Sequence, residues 1–220
     1  MTDGFADAPR IVAGRRVRPV TIEVAPGLRV SVLEAADADE HLAATLRDGT
    51  DLYAGILWPT AVAAARALAA RVAAGERVLD LGAGTGLSAL AAARRGAHAV
   101  ALDHDPFALE LVSTAAALQG LALEARHFDL AGDEPLPPAD TVVLADVLYE
   151  PALARAAAAR VAEAAARGAR ALVGDPGRLA RAEFVAALRA EGLDVAFEET
   201  TVEVPGDPLP ATVGLAWIGG

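Results

Sequence analysis

Three glycines and a set of acids at strand ends are the residues of this 220-residue chain whose types and spacing suit ligand chemistry. Val78-Leu79-Asp80-Leu81-Gly82-Ala83-Gly84-Thr85-Gly86 reads as a buried strand, an acid near its carboxyl end and a glycine turn that opens a helix. Backbone without side chains lets a ligand approach closely, so Gly82, Gly84 and Gly86 are expected to cradle a nucleotide-like group. The competing reading is a tight strand-to-helix turn that serves packing alone. The dinucleotide pattern G-x-G-x-x-G is not met, because position 87 is Leu and the third glycine falls one place early. No Lys-Ser/Thr pair follows the turn, which excludes a P-loop.

Asp103 ends the next strand, seventeen residues beyond Gly86. A carboxylate there can accept both hydroxyl hydrogens of a ribose. Asp129, just past the third strand, is placed to accept an adenine amino group, with plain solvation as the alternative. Cysteine is absent, which removes thiolate catalysis, zinc-thiolate sites and disulfides. His41, His98, His104 and His127 are scattered without H-x-x-x-H spacing, so no metal is expected.

Strands and helices that alternate must position these residues. Arg77–Leu81, Ala99–Leu102, Leu123–His127, Thr141–Ala145 and Ala169–Val173 read as short buried strands. Helices are expected over 59–74, 87–95, 106–119, 151–167 and 179–191, several opened by proline and closed by glycine. Such alternation predicts a parallel sheet covered on both faces. Asp194–Val204 and Ala211–Ile218 follow without an intervening helix, so the last strand should run antiparallel to its neighbour. β-type runs from Val17 to Val32 around Pro26-Gly27 predict an N-terminal hairpin, and Asp37–Asp51 reads as a loop or short helix. The expected architecture is α/β: a Rossmann-like seven-stranded sheet with an antiparallel last strand, helices on both faces and an N-terminal β-hairpin. Residues 1–52 read as an extension and 53–220 as the main domain.

A formal charge of −11 repels phosphate backbones, and no basic cluster beyond Arg15, Arg16 and Arg18 offsets it, so no nucleic-acid partner is expected. The alanine-rich stretches are broken by Arg or Glu every few residues, and the first ten residues carry acids, Gly and Pro where an export signal needs an apolar run. No membrane partner is expected, and a cytoplasmic location is. Composition leaves the oligomeric state open.

With these residues in hand, the chain resembles the class I seven-β-strand methyltransferases that depend on S-adenosylmethionine (SAM). Within them it is similar to the family 16 protein-lysine methyltransferases, the group of the electron-transfer-flavoprotein β-subunit lysine methyltransferase. Trp58-Pro59 matches a Trp-Pro pair that this group carries beside the SAM pocket. Asp146-Val147-Leu148-Tyr149 matches its Asp-x-x-Tyr motif near the target lysine. Gly174-Asp175-Pro176-Gly177-Arg178 resembles the corresponding segment of the flavoprotein methyltransferases. Where the group has glycines after Trp-Pro, this chain has Thr60 and Ala61, and the aromatic cluster before the tryptophan is reduced to Tyr53.

The resemblance implies a SAM site made by Trp58, Asp80, Gly82, Gly84, Gly86, Asp103 and Asp129, with Asp80 meeting the ammonium end of SAM directly or through water. It implies that Asp146 orients an incoming amine and that Tyr149 forms part of its channel. It also implies a lysine-bearing protein substrate, with the β subunit of electron-transfer flavoprotein as one candidate. The acidic balance of the chain suits such a basic surface. A small-molecule N-methyltransferase and a noncatalytic SAM-binding protein are the alternatives.

Overall fold

The computed structural model describes residues 10–48 and 53–219, with side chains described outside 44–48. The expectation about an export signal at the N-terminus and the readings at 49–52 lie outside the described residues.

Residues 10–35 supply a three-stranded antiparallel sheet in the order β1 (Arg10–Val12), β2 (Arg15–Ala25) and β3 (Leu28–Ala35). Pro26 and Gly27 form the predicted two-residue turn, with Gly27 at φ +73°. β1 was not anticipated. It is three residues long, and so short a run carries no readable periodicity. The acidic segment after β3 is helix α1 (Ala38–Asp48), opened by Asp37, whose carboxylate accepts the Glu40 N–H at 2.9 Å.

A 3-10 turn at Tyr53–Gly55 leads to α2 (Pro59–Ala69) and then to β4 (Arg77–Leu81), α3 (Leu87–Arg94), β5 (His98–Asp103), α4 (Pro106–Leu118) and β6 (Glu124–His127). β7 (Thr141–Ala145), α5 (Pro151–Ala166), β8 (Arg170–Asp175), α6 (Arg181–Ala190), β9 (Glu198–Val202) and β10 (Ala211–Ile218) complete the chain. The main sheet runs β6-β5-β4-β7-β8-β10-β9. Its first five strands are parallel and β10 is antiparallel to both β8 and β9, as the helix-free final connection requires.

Several boundaries move by one or two residues from the sequence reading, β8 for instance running on to Asp175, and three differences have a local reason. α2 stops at Ala69 rather than 74 because the next residues turn to bury Val72 and to place the Ala73 N–H on the Glu76 carboxylate. α6 starts at Arg181 rather than 179 because Asp175 takes the N–H groups of Gly177 and Arg178. The run from Asp194 joins the sheet only at Glu198; before that, Val195 and Phe197 pack toward α5 and α6 instead of pairing.

Packing explains why the glycine turn is held rigidly. β4 sends Val78 into the core under α2 and α3, and Leu79 and Leu81 into the core under α5 and α6. A further core lies outside the helices: Ile22, Val30 and Val32 of the hairpin meet Val62 of α2, Leu90 of α3 and Leu111 of α4. The layers are hairpin sheet, α2–α4, main sheet, then α5 and α6. Among the described residues, no helix is long and apolar enough to cross a membrane.

Candidate active site

The carboxyl ends of the parallel strands open on a cavity of about 540 Å³. Trp58, Gly82, Gly84, Asp103, Asp129, Asp146 and Tyr149 all line it; Asp80 and Gly86 lie behind the lining. Seven of the nine residues singled out in the sequence therefore converge, though they come from five separate connections.

The glycine turn is built by its two acids. Gly84 has φ +54°, and its N–H donates to Asp103 Oδ2 at 2.9 Å while Asp103 Oδ1 accepts from Asp105 N at 2.9 Å. Asp103 thus ties the turn after β4 to the start of α4. Burial pushes its carboxyl up, against the N–H groups of Asp105 and Gly84 and the neighbouring His104 imidazole. Asp80 is only 3% exposed, and its Oδ2 accepts the Ala89 N–H at 3.0 Å. It thereby serves the first turn of α3, whose own opening residue Gly86 has no side chain to do so. Burial pushes Asp80 up to about 7; the Ala89 N–H opposes this and the Asp103 charge adds to it. Gly86 has a packing reason as well: a Cβ there would stand 2.4 Å from Val112 Cγ2 of α4.

The lining is rich in acceptors. Asp103, Asp105, Asp129 and Glu150 border it, and no arginine or lysine does among the described residues. Asp105 caps α4 by accepting the Phe107 N–H at 2.8 Å, which leaves its buried Oδ2 without a hydrogen-bond partner. This acceptor set suits a ligand that brings ribose hydroxyls, an amino group and positive charge, and among the described residues it brings no arginine to the pyrophosphate of a dinucleotide. S-adenosylmethionine fits that description.

The far wall holds Asp146, at the end of β7, with φ +63° in the left-handed region that Asp tolerates better than most residues. Both its oxygens are engaged from other elements. Arg178 Nε donates to Oδ1 at 2.6 Å and Thr60 Oγ1 donates to Oδ2 at 3.3 Å. The sequence reading left Arg178 without a role and saw Thr60 only as a departure. The signal for Thr60 was its place directly after Pro59, at the start of a helix aimed at the site. Arg178 is set by Asp175, fully buried, whose Oδ2 accepts from Gly177 N, Arg178 N and Arg181 Nε.

Above Asp146, Tyr53 packs between two aromatic partners, 5.6 Å from the Tyr149 ring centre and 6.4 Å from that of Trp58. Trp58 Nε1 donates to the Tyr53 carbonyl at 3.2 Å. The segment is anchored to the hairpin by Glu34, which accepts the Leu57 N–H at 3.3 Å and pairs with Arg18 at 2.6 Å. Tyr53 was not among the expected site residues, since a single aromatic carries no spacing signal. His41, His98, His104 and His127 form no metal-binding group among the described residues, and His41 packs against Phe107.

A seven-stranded sheet of this order, with a nucleoside-sized, acceptor-lined cavity at its switch point, defines the class of SAM-dependent methyltransferases. The family model of the ribosomal protein L11 methyltransferases (PrmA) matches residues 38–172, and the chain belongs to that family. The electron transfer flavoprotein beta subunit lysine methyltransferase of Danio rerio is 38% identical over 133 residues, which cover 58% of this chain and 51% of that protein. The ribosomal protein L11 methyltransferase of Thermus thermophilus is 36% identical over 110 residues, 50% of this chain and 42% of that protein. The chain thus spans about half the length of these curated relatives, or less. In fold it is similar to a T. thermophilus 16S rRNA methyltransferase solved with AdoMet and guanosine, with a TM-score of 0.61 at 20% identity over 92% of this chain and 50% of that one.

Proposed function

We propose that this chain methylates lysine side chains of a protein substrate, using the cavity for SAM and Asp146 for the acceptor amine. The observation that carries the reading is the doubly held carboxylate of Asp146, beside the Tyr53–Trp58–Tyr149 rim on the cavity wall. SAM, when bound, supplies a methyl group on a sulfonium that an in-line nucleophile can displace. The protein's own part is alignment and proton control. Asp103 takes ribose hydroxyls through the lone pairs that its backbone donors leave free, and Asp129 takes the adenine amino group. Asp80 acts from behind the turn, by fixing α3 and by reaching the ammonium end through water. Asp146 accepts an N–H of the incoming amine, which holds the nitrogen lone pair toward the methyl group at about 3 to 3.5 Å. Tyr149 and Tyr53 line the approach and exclude water. In this reading residues 53–220 form the SAM domain and residues 1–52 an extension.

The electron-transfer flavoprotein β subunit is the first acceptor to test, since the Danio rerio relative is named for it; a ribosomal protein is the second. Purified protein with labelled SAM, recombinant flavoprotein and, in parallel, a soluble cell extract should place label on lysine. An Asp103→Ala control should remove it. Label confined to small molecules would overturn the lysine reading in favour of a small-molecule N-methyltransferase. The chain contains no lysine, so none of the lysine label can come from the enzyme itself.

A further inference from the structure

Asp146 poses a chemical problem that its neighbours solve. A carboxylate that accepts an N–H from an amine also attracts the proton that makes the amine an ammonium, and an ammonium has no lone pair with which to attack. Good orientation by a bare carboxylate would therefore suppress the nucleophile it orients.

We infer that Arg178 is a positioning residue whose guanidinium lets Asp146 orient the acceptor amine without holding that amine protonated, an inference that rests on the lysine reading above. Arg178 Nε lies 2.6 Å from Asp146 Oδ1, and the pair is largely shielded on the acid's side, with side-chain exposures of 34% for Arg178 and 6% for Asp146. The positive charge offsets the field of the carboxylate at the point where the amine arrives. Thr60 fills one lone pair of Oδ2 at 3.3 Å, which leaves that oxygen able to accept an amine N–H.

The backbone from which Arg178 reaches Asp146 is fixed by its own loop. Its N–H is held by Asp175 Oδ2 at 3.1 Å, and Arg181 closes on the same residue twice, through Nε to Oδ2 and through a terminal nitrogen to the Asp175 carbonyl, both at 2.6 Å. Arg181 in turn lies over the Phe197 ring at 4.4 Å. A guanidinium serving only as a surface ion pair would not need so fixed a base.

Other titratable groups face the same space. Tyr149 and Glu150 come from the connection between β7 and α5, and Tyr53 from the 3-10 turn. Asp103, His104 and Asp105 follow β5, and His127 and Asp129 follow β6. The acids among them would all favour an ammonium. Among the described residues, Arg178 is the cation within ion-pair distance of Asp146.

The test measures methyl transfer from labelled SAM to lysine in heat-treated soluble cell extract, from about pH 6 to pH 10, for the native protein, Arg178→Gln, Arg178→Lys and Asp175→Asn. With Arg178→Gln the acid limb of kcat should move up by about one pH unit, with about a tenfold lower rate near pH 7. Arg178→Lys should restore most of the limb, and SAM affinity should stay within about twofold throughout. Asp175→Asn keeps the guanidinium but loosens its anchor, and should shift the limb in the same direction; it carries the test if Arg178→Gln does not fold. Profiles that superimpose, or a rate that falls evenly at every pH with the limb unmoved, would overturn the inference and leave lysine methylation standing. If the native protein labels no lysine at all, the lysine reading fails and takes this inference with it.

Discussion

Asp80 is held where a carboxylate is expensive, beneath the glycine turn and near a second acid. Its carboxyl titrates at about 7 in the folded chain against 3.8 in a model peptide, so the folded protein binds that proton more tightly than the unfolded one. The corresponding stability is complete below about pH 4 and is lost as pH rises through about 7. Asp80→Asn should therefore gain on the native protein across that window, by up to roughly 4 kcal/mol at pH 8 in the absence of SAM. Urea unfolding at several pH values checks this; a stability difference that does not change with pH would contradict it. The same variant is expected to bind SAM at least tenfold more weakly, since the amide lacks the charge that favours the ammonium end. Asp103→Ala removes the acceptor for both Gly84 and Asp105 as well as the proposed ribose contact. Its SAM affinity should fall about a hundredfold by calorimetry, with Asp103→Asn intermediate.

At the scale of elements, Gly86 joins α3 to α4. Its φ of +74° and the 2.4 Å approach to Val112 Cγ2 make Gly86→Ala costly on two grounds, about 2–4 kcal/mol in all. Adding Val112→Ala should return the steric part and leave the backbone part, a difference that thermal unfolding of the single and double variants can read. Elements of this kind were well marked in the sequence: Arg77–Leu81, Thr141–Ala145 and Ala211–Ile218 agree with the structure residue for residue, because buried strands bounded by turn residues leave a sharp pattern. β1 and the late start of β9 were not marked, since pairing partners far along the chain decide them. The site shows the same division. Glycine turn, strand-end acids and Asp-x-x-Tyr are local patterns and could be read. The hold of Arg178 and Thr60 on Asp146 spans intervals of 32 and 86 residues, and no local pattern carries that distance.

The whole molecule couples its layers through the core that the hairpin shares with α2, α3 and α4. Ile22, 1% exposed, lies in that core, so Ile22→Ala should cost about 2–5 kcal/mol and lower one common transition in calorimetry. A separate early transition of the hairpin would show that the layers melt independently. The charge of −11 adds a second expectation at this scale: KM for a lysine-rich acceptor should rise with salt while SAM affinity changes little, and equal sensitivity of the two would count against an electrostatic approach. The strand order also bears on how the chain is made. Among the described residues, β9 pairs in the sheet only with β10, which inserts between β9 and β8. A ribosome that has released β4 through β8 has already delivered every strand behind the glycine turn and Asp146, while β9 waits without a neighbour. Translation that stops short of β10 would leave β8 as an open edge on a fragment still bearing its glycine turn, ready to pair with other chains.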